Sequence, residues 1–284
     1  MLNDKYFILL QRLLPQALLS RLIGKIANSN NSFIKNYLIN LAIRKFKIDL
    51  SDSVGETPDF YSSFNDFFTR KLKQNARVID ADKSSIISPA DGTVVQYGPI
   101  KHDTLIQAKQ KTFTARALLA AEKPNFTDFA IIYLAPKDYH RVHMPLDGRL
   151  TKMTYIPGRL FSVNATTSKH IEQLFAKNER VVCYFDTIIG EVAIVLVGAL
   201  FVASIVTRWH HTVAPNYITK LHTWEYHDQN ITFKKGDELG YFNFGSTVIC
   251  LFPDNKVTLV PANNTIQMGN VLGKMNPNVM ADRL

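Results

Sequence analysis

"GYFNFGSTVIC", residues 240–250, reads as a strand interrupted in its middle. The aromatic and β-branched residues on both sides favour extended backbone, whereas Gly245-Ser246-Thr247 puts small side chains at the centre. Glycine inside a strand weakens it, and marks a bulge or a point where something approaches the backbone closely. Working outward, "KKGDELGYF" (234–242) predicts a turn leading into a strand, and residues 248–252 predict a buried strand ended by Pro253. The small tripeptide thus lies on a rigid element, where reacting groups can be held in register.

The same texture fills the chain beyond Val78. Short apolar runs alternate with turn signals in "SIISPADGTVVQYG" (85–98), "DFAIIYLAP" (128–136), "RLTKMTYIPG" (149–158), "RVVCYF" (180–185) and "NITF" (230–233). Residues 192–206 are uncharged, but too short and too β-branched for a transmembrane helix; Gly198 predicts two buried strands or one bent strand. Between the β-rich part and the N-terminus, "FYSSFNDFFTRKLK" (60–73) predicts an aromatic-rich helical connector. The expected fold class is α+β: an amphipathic helical region over 1–57, then one β-rich catalytic domain over 58–284.

Charge is uneven along the chain. Residues 1–52 carry eight Lys and Arg against three Asp, a net +5 out of the whole chain's +9. The residues between these charges are aliphatic and aromatic: "YFILLQRLLPQALLSRLIGKI" (6–26) repeats apolar positions at helical intervals, with Pro15 between two predicted helices. "SFIKNYLINLAIRKFKI" (32–48) predicts a third helix with Ser32 as its N-cap. No apolar run approaches the roughly 20 residues that span a bilayer. Periodicity alone admits two arrangements, helices lying in the plane of an anionic membrane or an ordinary bundle packed on the core. Nucleic acid is disfavoured, because the basic residues are not interleaved with stacking aromatics. With 46% hydrophobic residues the chain is not disordered, and Cys183 and Cys250, both in apolar surroundings, read as buried reduced thiols.

Three stretches could carry chemistry. In "SPADGTV" (88–94), Asp91 sits between Pro89 and Gly92, either capping its own turn or serving a site. In "LAPKDYHRVHMP" (134–145), His140 and His143 lie between two prolines, which favours a helical turn with the imidazoles on neighbouring faces. The pair could bind metal, act as two separate acid–base groups, or be structural. Ser246 follows a glycine and needs a base and a carboxylate to become nucleophilic; Asp91, His143 and Ser246 would make such a triad. A zinc site using His140, His143 and Asp91, with His210 or His211 nearby, is a rival that leaves Gly245-Ser246 without a role. A non-enzymatic lipid-surface binding module is a second.

"SPADGTV", "LAPKDYHRVHMP", "PGRLFSVN" (157–164), "FAKNERVV" (175–182) and "KKGDELGYFNFGSTV" (234–248) occur in the order and spacing of the bacterial phosphatidylserine decarboxylase proenzymes, which this chain resembles from about Phe64 to Phe252. Phe244 replaces the family's usual leucine before Gly-Ser-Thr, and "TRKLKQNARVI" lacks a proline common after Leu-Lys; both positions lie outside the reacting atoms.

The resemblance implies a chain that cuts itself between Gly245 and Ser246 into a large subunit, 1–245, and a small one, 246–284. It implies no metal and one covalent cofactor, a pyruvoyl group made from Ser246, which serves as electron sink when phosphatidylserine loses carbon dioxide and becomes phosphatidylethanolamine. In that scheme His143, oriented by Asp91, takes the proton of Ser246 during maturation; His140 is the acid of turnover; Ser162 and Asn164 line the head-group pocket. The implied partner is phosphatidylserine in an anionic membrane, with a homodimer compatible. The implied location is peripheral, on the cytoplasmic face of a bacterial cell membrane.

Overall fold

Residues 129–134, 192–197 and 248–252 are apolar without alternation, the pattern of strands covered on both faces. The computed structural model describes residues 4–108, 111–200, 204–214, 220–243, 246–260 and 264–278, with the side chains of residues 17, 21, 108, 165 and 246 left out. In chain order its strands begin with β1 (Ser85–Ile87), β2 (Gly92–Pro99), β3 (Thr104–Ala108), β4 (Lys111–Thr114), β5 (Asp128–Leu134) and β6 (Arg141–His143). There follow β7 (Gly148–Ile156), β8 (Arg180–Thr187), β9 (Gly190–Val197), β10 (Ile205–Thr207), β11 (His211–Ala214) and β12 (His222–Glu225). The last six are β13 (Thr232–Phe233), β14 (Glu238–Phe242), β15 (Ser246–Phe252), β16 (Val257–Leu259), β17 (Thr265–Ile266) and β18 (Val271–Met275). The helices are α1 (Asp4–Leu13), α2 (Gln16–Ala27), α3 (Ser32–Phe46), α4 (Phe64–Phe68), α5 (Ala115–Leu119), α6 (Ala165–His170) and α7 (Leu174–Lys177). The class is α+β, as expected.

A nine-stranded antiparallel sheet runs β12-β7-β8-β9-β15-β5-β2-β17, with β13 added on β7. β15 lies at its centre, hydrogen-bonded to β9 on one side and β5 on the other, and residues 247–252 of β15 are fully buried. A four-stranded sheet, β11-β10-β14-β6, lies beside it. The interruption in the opening stretch therefore has a definite meaning: β14, which ends at Phe242, and β15, which begins at Ser246, belong to different sheets. Gly198 has the same function in the run 192–206, which divides into β9 and β10.

Pro15 separates α1 from α2 as its missing N–H predicts. Three local expectations need correction. α3 is capped by Asn31, not Ser32, since the Asn31 carboxamide accepts from the N–H groups of Phe33 and Ile34. The aromatic connector is helical only over Pro58–Phe60, as a 3₁₀ turn, and over α4. The histidine segment is a turn at 136–138 followed by β6, so His143 lies on a strand paired with β14. Cross-strand pairing outweighed the prolines there. Tyr61, Phe64, Phe67 and Phe68 pack with Ala27, Ile39, Ala42 and Ile48 in a second core beneath the N-terminal helices, apart from the core of the sheets.

Candidate active site

Ser246 opens β15 directly opposite Leu134, the last residue of β5. On the other side of β5, Thr93 of β2 pairs with Tyr133, which brings Asp91 to the same end of the sheet. Gly92 makes this possible: a Cβ there would collide with the Tyr133 carbonyl oxygen. The chain leaving β5 turns and delivers His140 and then β6. The His143 N–H donates to the Pro89 carbonyl at 2.7 Å, and the Phe242 N–H to the His140 carbonyl at 3.1 Å. Asp91, His140, His143 and the backbone of Ser246 are thus drawn to one end of the central strands. Gly245 and the Ser246 side chain lie outside the described residues.

His143 is 8% exposed and both ring nitrogens are engaged. Its Nδ1–H donates to the Gly236 carbonyl at 2.7 Å, which leaves Nε2 unprotonated and accepting from the Tyr139 hydroxyl at 3.0 Å. Gly236 has φ +92°, a conformation that suits glycine, and the turn it forms aims this carbonyl. Burial holds the His143 pKa below the usual 6.5, opposed by the Gly236 hydrogen bond and the charges of Glu238 and Asp91.

Asp91 accepts no hydrogen bond from His143, whose ring partners are Gly236 and Tyr139. Asp91 is instead gripped by Arg77, whose Nε donates to Oδ1 at 3.0 Å and Nη2 to Oδ2 at 2.6 Å, while the Met268 N–H donates to Oδ1 at 2.8 Å. Arg77 also bridges to Asp52 at 2.7 Å. Asp91 therefore acts on His143 as a nearby negative charge.

His140 is fully buried against the Phe68 ring, 4.2 Å between centroids. Its Nδ1–H donates to the Asp138 carbonyl at 2.8 Å, and its buried Nε2 has no hydrogen-bond partner. Burial depresses its pKa to about 3, with the Asp138 carbonyl opposing and the Arg70 charge adding to the shift. Arg70 is itself buried. Its Nη2 donates to the carbonyls of Lys137 and Asp138, which fixes the turn that carries His140. Thr247 Oγ1, next to Ser246, is likewise buried without a hydrogen-bond partner, as are Arg70 Nε and Nη1. A polar cavity of about 270 Å³ adjoins this region, bounded by Asp52, Arg70, Arg77, Asp91, Asp138 and Tyr139.

Ser162 and Asn164 lie on the segment between β7 and α6. The Asn164 carboxamide accepts from the Thr167 N–H at 3.0 Å, and Thr167 Oγ1 accepts from the Asn164 N–H, a reciprocal cap that employs Asn164 in starting α6. The Ser162 N–H donates to Gln11 of α1 at 3.0 Å. Among the described residues no three His, Cys, Asp or Glu side chains could hold a metal, as the zinc rival requires, and His210 bonds Tyr226 and packs 4.5 Å from the Trp224 ring.

Sequence reasoning missed Arg77, Tyr139, Gly236 and Arg70. Tyr139 and Gly236 stood inside motifs already singled out, four residues before His143 and at the head of the β14 turn. Arg70 and Arg77 carried no signal, because their partners are distant in sequence.

Two buried imidazoles, one with Nε2 accepting from Tyr139 and the other with Nε2 unpartnered, and a carboxylate held by Arg77 meet at the sheet end where β15 begins. The family model described as phosphatidylserine decarboxylase matches residues 64–274, and a second, described as PSD, matches residues 6–47. The phosphatidylserine decarboxylase proenzyme of Francisella philomiragia subsp. philomiragia is 57% identical over 260 residues, 90% of this chain and 92% of the relative. Those of Francisella tularensis subsp. novicida and subsp. holarctica are 57% and 56% identical over the same shares. The chain belongs to the phosphatidylserine decarboxylase family, and its activity is that of a decarboxylase.

Proposed function

We propose that the chain is made as a proenzyme, cuts itself between Gly245 and Ser246, and then decarboxylates phosphatidylserine at a membrane surface using a pyruvoyl group derived from Ser246. The observation that carries this reading is the register, which sets Ser246 opposite Leu134 at the sheet end where Asp91, His140 and His143 meet. In maturation His143 Nε2 takes the Ser246 hydroxyl proton once the Tyr139 hydroxyl yields its place. Gly236 holds Nδ1–H, and Asp91 stabilises the imidazolium. The Ser246 oxygen adds to the Gly245 carbonyl carbon, the peptide C–N bond breaks with proton transfer to nitrogen, and an ester remains. Loss of the Ser246 α-proton expels the Gly245 carboxylate; water then converts the residual dehydroalanine to the pyruvoyl group and ammonia. Residues 1–245 and 246–284 become two subunits.

The pyruvoyl group supplies a carbonyl that binds the substrate amine and takes up the electron pair left by carbon dioxide. The buried, unpartnered His140 Nε2 and Thr247 Oγ1 suit such a polar group at this position. The substrate arrives as an ammonium and must lose a proton before its nitrogen can react. In this reading the ammonium, whose own pKa falls when it is buried in the same dry site, passes that proton to His140 Nε2, which is unpartnered while Asp138 holds Nδ1–H, and the proton returns from there to the α-carbon. Ser162 contacts the head group in this reading, and Asn164 shapes the same segment.

Residues 1–57 serve as the membrane-associating region and 58–284 as the catalytic domain. In favour stand the exposed apolar side chains of the N-terminal helices, among them Leu13, Leu18, Leu22, Ile26 and Phe33, and their net positive charge. An apolar groove of about 390 Å³ between α2 and α3, lined by Ile23, Ile26, Leu38, Leu41, Phe46 and Phe64, extends this surface. No helix of the described residues is long and apolar enough to cross a membrane. Docking in this reading is peripheral, on the cytoplasmic face. The test is carbon dioxide release from phosphatidylserine vesicles. Wild type is active with a chelator present and Ser246→Ala is inactive; activity that survives Ser246→Ala would overturn the reading.

A further inference from the structure

Residues 160–162, which precede the Ser162–Asn164 segment, belong to no strand ladder. Their backbone groups are held by side-chain amides on two sides. On the sheet side Asn178, fully buried, accepts from the Phe161 N–H at 3.1 Å and donates Nδ2–H to the carbonyls of Phe161 and Gly198, both at 2.9 Å. On the other side the alternate N–H groups point at the N-terminal helices: Leu160 donates to Gln16 Oε1 at 2.9 Å and Ser162 to Gln11 Oε1 at 3.0 Å. The two glutamines are 5% and 3% exposed, and Gln16 Nε2 donates to the Gln11 carbonyl at 2.7 Å, which ties the end of α1 to the start of α2. Arg159 adds a bond to the Arg12 carbonyl at 3.1 Å. A glutamine buried on an amphipathic helix, where a leucine would pack at lower desolvation cost, has its use in these bonds.

We propose that Gln11 and Gln16 are positioning residues that couple the seating of α1 and α2 on the bilayer to the placement of the Ser162 segment at the lipid head group. This rests on the membrane-docking decarboxylase reading above. The apolar side chains that meet the membrane, Leu9, Leu10, Leu13 and Leu18, lie within one or two helical turns of the two glutamines. The segment is thereby fixed at a set height above the membrane face. Asn178 carries the same tie onward to the Gly198 carbonyl, at the end of β9.

The experiment compares wild type, Gln11→Met, Gln16→Met and Gln11→Glu, the last of which keeps the accepting oxygen. Intact mass reports self-cleavage, co-sedimentation reports binding to phosphatidylserine/phosphatidylglycerol vesicles, and turnover on those vesicles reports KM and kcat. Expected for each methionine variant are full cleavage, unchanged co-sedimentation, and a KM raised about fivefold, the loss of its one hydrogen bond to residues 160–162, with kcat within about twofold. Gln11→Glu restores KM to within about twofold of wild type. Amide exchange supplies a reading that does not need activity: vesicles slow exchange at Leu160 and Ser162 in wild type and not at Ser162 in Gln11→Met. An unchanged KM, a KM that rises only in step with lost vesicle binding, or no effect of vesicles on wild-type exchange would overturn the coupling. Wild type inactive on the vesicles would instead overturn the decarboxylase reading.

Discussion

Arg77 and Asp91 form a salt bridge in which both side chains are about nine-tenths buried, with side-chain exposures of 9% and 10%. Removing one partner strands a charge, so Arg77→Ala should lower stability by about 3 kcal/mol in urea unfolding, while an exposed pair such as Lys234–Asp147 should cost under about 1 kcal/mol when broken. Tyr139 donates to the nitrogen that the maturation scheme needs. Tyr139→Phe should therefore still self-cleave, at no less than the wild-type rate, whereas His143→Ala should remain whole; an uncut Tyr139→Phe would make the hydroxyl a participant. In the proposed maturation His143 is a neutral base with its pKa held below 6.5, so the pH midpoint of maturation should fall below 6.5, and a midpoint above it would contradict the assignment. His140, depressed to about 3, excludes in the folded state a proton that the unfolded chain binds near 6.5. Its contribution to stability is complete above that pH and is lost progressively as pH falls toward 3. His140→Gln should flatten this decline in urea titrations between pH 6.5 and 4. At this scale the sequence showed Asp91, His140, His143 and Ser246 as reactive types in unusual contexts. It did not show that Arg77 would claim Asp91 or that Gly236 would orient His143, because both contacts are made by groups far along the chain.

At the scale of elements, the junction of β2 with β5 depends on a position without a side chain. Gly92→Ala would drive a methyl into the Tyr133 carbonyl and should cost about 1–3 kcal/mol, with maturation slowed because Asp91 and Ser246 flank the same strand. The apolar runs that became β5, β9 and β15 were legible because both faces of each strand are covered, and Pro15 and Gly198 marked real breaks. The sheet assignment was not legible. β14 and β15 are separated by three residues and read as one interrupted strand, yet β14 pairs with β6 and β10 while β15 pairs with β5 and β9. Pairing partners depend on long-range register, which no local pattern carries. The same reason explains β6, where local proline chemistry suggested a turn and the ladder with β14 prevailed.

Across the whole molecule, the apolar helical surface is joined to the sheet end that carries His140 through the aromatic core of Tyr61–Phe68, whose Phe68 meets the His140 ring, and to residues 160–162 through the glutamine contacts. Binding to anionic vesicles should weaken as salt rises from about 0.1 M to about 1 M, where the screening length shrinks from about 10 Å to about 3 Å, and a residual apolar component should persist. The amphipathic character of the N-terminus was legible from its spacing, but which face would remain uncovered was not, since that depends on where α4 and the sheets pack. The most direct measurement is the intact mass of the purified chain. Two polypeptides are predicted, corresponding to residues 1–245 and to residues 246–284 bearing a pyruvoyl start. A single unbroken 284-residue species with an ordinary serine at 246, in a preparation that decarboxylates phosphatidylserine, would contradict it.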